Sequence, residues 1–160
     1  MPIYIDTQSK YSPQNLSEFI FPNDRVQKVV TAYASGNVNR PLLLSGPNGT
    51  GKSLLAQLIP CAIEGREIKV KRWIATELDK SENFSKAFPS TAMYSGLFEP
   101  DRQRMRSHLI EEMNGRMRHT DSLKVILDTD SKYDLTLITT NAVNNIDIGL
   151  RSRCQVLTVD

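Results

Sequence analysis

The chain has 160 residues, with 20 Lys and Arg against 18 Asp and Glu, a formal net charge of +2. At roughly 100–200 residues per domain, that length reads as one domain with enough chain to bury a core. A composition of 39% hydrophobic and 24% charged residues excludes a disordered or collagen-like chain, and the near-neutral balance excludes a strongly basic nucleic-acid-coating protein.

The first 22 residues, with Pro2, Pro13 and Pro22, read as an irregular lead-in, and 23–160 as the folded domain. From Asp24 the pattern is helical: Val26, Val29, Val30 and Tyr33 share one face, Asn23 or Asp24 caps the start, and Gly36-Asn37 stops it. Pro41-Leu42-Leu43-Leu44-Ser45 reads as a strand buried on both faces of a parallel sheet. A second helix buries Leu54, Leu55, Leu58 and Ile59, with Pro60 near its end. Ile68 to Ala75 is rich in β-formers and reads as a strand, whereas 79–104 is polar and irregular. A helix near Asp121–Leu127 and strands Leu135–Thr139 and Gln155–Val159 complete the pattern. Strands alternating with helices predict an α/β domain, a parallel sheet flanked by helices.

No apolar run approaches the roughly 20 residues that span a bilayer, so no membrane partner is expected. The N-terminus lacks a signal-peptide pattern, and the expected compartment is a reducing cytoplasm. Cys61 and Cys154 form neither a disulfide framework nor a metal knuckle, and Cys154 is expected as a free, buried thiol.

Between the first strand and the second helix lies Gly46-Pro47-Asn48-Gly49-Thr50-Gly51-Lys52-Ser53, a full match to GxxxxGK[ST]. Glycines let successive backbone N–H groups turn inward around an anion, where a Cβ would block the needed conformations. The helix that starts near Gly51 points its positive end at the same place. Lys52 is placed to reach the β- and γ-phosphates of ATP, Ser53 to ligate Mg²⁺, and Leu54 to adjoin the nucleotide.

A P-loop hydrolase also needs a strand ending in carboxylates, one for Mg²⁺ and one to activate water. Lys124-Val125-Ile126-Leu127-Asp128 stands only six residues before Leu135, too few for a parallel crossover. Ser107-His108-Leu109-Ile110-Glu111-Glu112 leaves 28 residues before Asn141, room for a helix and a return strand. Met105, Leu109, Ile110, Met113 and Met117 also fit helical spacing, so the local pattern alone leaves strand end and amphipathic helix open.

Three features together resemble the AAA+ ATPases, in their clamp-loader branch: replication factor C small subunits and their phage and bacterial counterparts. They are the glycine loop GPNGTGKS, the strand ending Thr139-Thr140-Asn141, similar to sensor 1, and Ser152-Arg153-Cys154, similar to the arginine-finger motif. The segment from Asn15 to Ile20 resembles the branch's lead-in.

The resemblance favours the strand end and implies roles. Glu112 is the general base, Glu111 stands near Mg²⁺ where the family has aspartate, and Asn141 senses the γ-phosphate. Arg153 reaches a neighbouring subunit's ATP, with Arg151 as the alternative finger, while Ile20 and Phe21 adjoin adenine. The partners implied are other AAA+ subunits in a ring, a sliding clamp and primer-template DNA. Basic stretches at Lys69, Lys71 and Arg72 and at Arg102 to Arg118 are candidates for DNA contact. The phage members admit a virus-encoded source. Rival readings are a viral superfamily 3 helicase and a nucleotide-binding subunit that does not hydrolyse. A helical lid and a collar, usual in the branch, are absent from these 160 residues, so a fragment or a partner-dependent subunit, weakly active alone, is expected.

Overall fold

The computed structural model describes residues 12–88, 104–129 and 133–160. Five strands, β1 (Leu42–Ser45), β2 (Lys71–Ile74), β3 (Arg106–Glu111), β4 (Asp134–Thr140) and β5 (Gln155–Thr158), form one sheet in the order β2-β3-β4-β1-β5. Every pairing is parallel, so all the strands deliver their C-terminal ends to one edge. The helices are α1 (Asp24–Ala34), α2 (Lys52–Glu64), α3 (Ala75–Leu78), α4 (Ser81–Ala87), α5 (Thr120–Asp128) and α6 (Ile148–Arg153). Short 3-10 turns stand at Leu16–Glu18 and Val143–Asn145.

Two apolar layers hold the sheet, and the two-residue period of β1 divides its leucines between them. Leu42 and Leu44 pack with Val26 and Val30 of α1 and Leu55 and Ile59 of α2. Leu43 packs on the other side with Leu123 of α5 and Leu150 of α6. All three are essentially inaccessible, each worth about 1.5–3 kcal/mol of burial. The Leu42–Leu44 run is apolar throughout because it has no solvent face.

The acidic segment is a strand. Leu109 and Ile110 of β3 are fully buried in opposite layers, and β3 runs between β2 and β4 in continuous register. Asn23 caps α1, its side-chain oxygen accepting from Val26 N–H at 3.0 Å. Cys61 and Cys154 are free thiols; Cys154 is buried, and burial pushes its pKa up to about 11.

Several expectations need correction. The β2 strand covers only Lys71–Ile74, because Ala75 already opens α3. The stretch read as irregular from 79 contains α4, whose Phe84 and Ala87 are buried, with the Phe84 ring stacked on His119 at 4.6 Å. A helix of about two turns carries too few apolar residues to show a period. The remainder of that stretch, 89–103, lies outside the described residues, as does Arg102. Helix α2 has Pro60 near its end, as expected, and runs on to Glu64, where Gly65 closes it. Helix α6 was not anticipated; it starts where Asp147 accepts from Leu150 N–H at 3.1 Å. Among the described residues, no helix is long and apolar enough to cross a membrane.

Candidate nucleotide site

The glycine loop joins β1 to α2 at the C-terminal edge of the sheet, the edge where open α/β sheets bind ligands. Gly46 has φ 154°, and a Cβ there would sit 2.1 Å from the Val159 carbonyl oxygen, so β5 leaves no room for a side chain. Its N–H donates to Thr140 O at 3.2 Å, fastening the loop to β4 as well. Gly51, at φ 84°, precedes α2, and the Phe19 ring lies 3.1 Å from where its Cβ would stand. Lys52 opens α2, and its ammonium donates to the Pro47 carbonyl within the loop. Burial lowers its pKa from the usual lysine value.

The loop faces a cavity of about 620 Å³ lined by Asn48, Gly49, Gly51, Lys52, Ser53 and Leu54, together with Glu112, Asn114, Thr139, Thr140 and Asn141. Residues from the ends of β1, β3 and β4 therefore converge on one concave site. Of the residues placed beside adenine, Ile20 is 90% exposed, and Phe21 packs on Phe19 with ring centroids 5.1 Å apart. Phe19 is the aromatic that meets the loop itself, and sequence reading passed over it.

The two glutamates have different surroundings. Glu112 lines the cavity at φ 57°, the one described non-glycine residue with positive φ. Its N–H donates to Thr139 Oγ1 at 3.2 Å. Glu111 is buried, and its Oε2 accepts from Arg72 Nη2 at 2.7 Å and Nε at 3.1 Å. It is not among the residues lining the cavity. Its other oxygen, Oε1, is buried without a partner among the described residues.

The exposed Ser53 hydroxyl is a hard donor of the kind Mg²⁺ takes; Glu111 Oε1 is another, but it is buried outside the cavity lining. Among the described residues no cluster of three or more His, Cys, Asp or Glu is present. Mg²⁺ needs none, since it is bound through one or two protein oxygens plus phosphates and water.

Asn141 donates from Nδ2 to Asn48 Oδ1 at 3.1 Å, and its backbone N–H donates to Asn114 Oδ1 at 3.1 Å. Asn114 went unnoticed in the sequence, although a polar residue two places beyond an acid pair was the available signal. Arg153 ends α6 and is not among the cavity-lining residues. It donates to both carboxylate oxygens of Asp128, at 2.7 and 2.9 Å, and to Gly149 O at 2.7 Å. That contact holds the Asp128 carboxyl below its usual range. Arg151 makes no ion pair among the described residues. Several residues of the basic stretches have partners within the chain: Arg72 on Glu111, Arg106 on Asp134 at 2.8 Å, and Lys71 over the Trp73 ring at 4.7 Å.

The parallel order β2-β3-β4-β1-β5, helices on both faces and the glycine loop after β1 constitute the fold of the AAA+ P-loop ATPases. No family model matches the chain. A curated relative, DNA polymerase III subunit gamma of Buchnera aphidicola subsp. Schizaphis graminum, is 24% identical over 162 residues, covering 91% of this chain and 45% of its own length. A single-substitution mutant of Thermotoga maritima RuvB superposes with a TM-score of 0.67 at 21% identity, covering 92% of this chain and 48% of that one. AMPPCP-bound DnaA from Aquifex aeolicus does so with a TM-score of 0.63 at 16% identity, covering 94% and 51%. The chain thus spans about half the length of the proteins it resembles.

Proposed function

We propose that this chain is the nucleotide-binding core of an AAA+ ATPase that works in DNA replication as a clamp-loader-type subunit. The observation that carries the reading is the convergence of the glycine loop, Glu112 and Asn141 on one cavity. Backbone N–H groups and Lys52 bind the phosphates, and Ser53 and Glu111 would hold Mg²⁺, which would neutralise charge on the phosphates. Glu112 draws the proton from the attacking water, and Asn141 orients that water against the γ-phosphate. Arg153, on α6, acts in trans on the ATP of the adjoining subunit in a ring, which couples turnover to assembly. Support for the replication setting comes from the gamma-subunit relative. The clients implied are a sliding clamp and primer-template DNA.

One observation favours a second reading, a subunit that binds ATP without hydrolysing it: Arg72 already engages one oxygen of Glu111. Turnover separates the two. ATP hydrolysis by the chain, assembled with AAA+ partner subunits, is expected to accelerate when primer-template DNA and the clamp are added together. The same rate with and without them would remove the clamp-loader assignment.

A further inference from the structure

We infer that Asn114 is a positioning residue for hydrolysis, holding Asn141 and the Glu112 turn in one arrangement through a single side-chain oxygen. The inference rests on the ATPase reading above.

Strands β3 and β4 are paired from Arg106↔Asp134 through Ile110↔Ile138. One more backbone contact, Met113 N–H to Thr139 O at 3.0 Å, lies beyond that register. There the Asn114 side chain takes over. Its Oδ1 accepts from Asn141 N–H at 3.1 Å and from Thr140 Oγ1 at 3.2 Å. The Thr140 hydroxyl oxygen in turn accepts from Ala142 N–H at 2.9 Å. One amide oxygen and one hydroxyl therefore fix three consecutive residues, 140–142. The Asn141 side chain then reaches the loop at Asn48.

Between these anchors Glu112 holds φ 57°, a left-handed conformation that is unfavourable for a non-glycine residue. Such a backbone persists where its neighbours over-determine it. Here Glu112 N–H and Met113 N–H both bond Thr139, and Asn114 bonds Thr140, the last residue of that strand, and Asn141 just beyond it. The turn that presents the carboxylate and the strand end that presents Asn141 thus form one hydrogen-bonded unit. Asn114 itself is exposed, so its carboxamide is not needed to fill the core. A loss of about 1 Å in placement is enough to cost roughly 10²-fold in rate.

The test is a double-mutant cycle read by single-turnover ATP hydrolysis at saturating nucleotide, with ATP affinity measured alongside. N114A is expected to slow hydrolysis about 10- to 100-fold with affinity little changed, which is the pattern of lost transition-state positioning. The double variant N114A/N141A is expected to lose less than the product of the two single losses, because Asn114 acts in part through Asn141. Hydrogen exchange supplies a readout independent of turnover: the Asn141 amide loses protection in N114A and keeps it in N114D, which retains the acceptor. Additive losses in the cycle, or unchanged Asn141 protection in N114A, overturn the inference while leaving the ATPase reading intact. A wild-type chain that binds ATP and never turns it over, even with partner subunits, overturns the reading and the inference together.

Discussion

Replacing Lys52 with alanine is expected to weaken Mg·ATP binding by about 10- to 150-fold while leaving the fold at least as stable. A charge-assisted hydrogen bond lost from a desolvated site is worth about 1.5–3 kcal/mol, and each 1.4 kcal/mol is tenfold in affinity. Stability is unaffected because the ammonium's hydrogen-bond partners are the Pro47 carbonyl and the Thr50 hydroxyl, with no carboxylate among them. Its pKa is lowered by burial, so the protonated form costs the folded state free energy at neutral pH, and alanine removes that cost. Isothermal titration with ATP and a thermal melt of the same sample check both halves. Retained affinity would remove Lys52 from the site, and a collapsed melting temperature would make its role structural.

The second large effect concerns Arg153. Arg153→Ala is expected to keep ATP affinity and lose about 10³–10⁵ in stimulated hydrolysis, the range of an arginine finger supplied to another site. Its contact with Asp128 does not prevent this. The pair is solvent-accessible and weakly held, so a γ-phosphate across an interface competes for the guanidinium readily. Mixing supplies the check. Arg153→Ala chains have intact pockets, and Lys52→Ala chains have intact fingers. In a ring of identical subunits, the mixture recovers hydrolysis that neither variant shows alone. If Arg151→Ala rather than Arg153→Ala removes stimulation, the finger is the arginine that makes no ion pair among the described residues.

How much of this was legible in the sequence follows the range of the interactions. The glycine loop and its flanking β1 and α2 are local: eight consecutive residues state the chemistry, and Leu42 to Leu44 state burial on both sides. Helix α1 was legible from its apolar spacing and from the Asn23 cap. Strand β3 was ambiguous because Leu109, Ile110 and Met113 satisfy either period. Pairing with β2 and β4 decides it, and pairing is not a local property. Helices α4 and α6 are too short to show a pattern and exist through tertiary contacts: Phe84 on His119, and the Asp147 cap with Lys124 against it at 2.8 Å. The site contacts least visible in sequence join residues far apart in the chain. Arg72 meets Glu111 from a neighbouring strand, Asp128 meets Arg153 between helices, and Asn114 meets Asn141 across a strand gap. Each is made by polar side chains whose types are common on any surface, so only the fold gives them meaning.

The central claim is that one cavity both binds ATP and cleaves it, with Glu112 as base. The most direct measurement is single-turnover release of phosphate from Mg·ATP by the wild-type chain and by Glu112→Gln, assembled with partner subunits and compared at equal nucleotide occupancy. The expected result is unchanged binding with hydrolysis slowed by about 10²–10⁴, the usual contribution of a positioned general base. Equal rates in the two proteins would contradict the account.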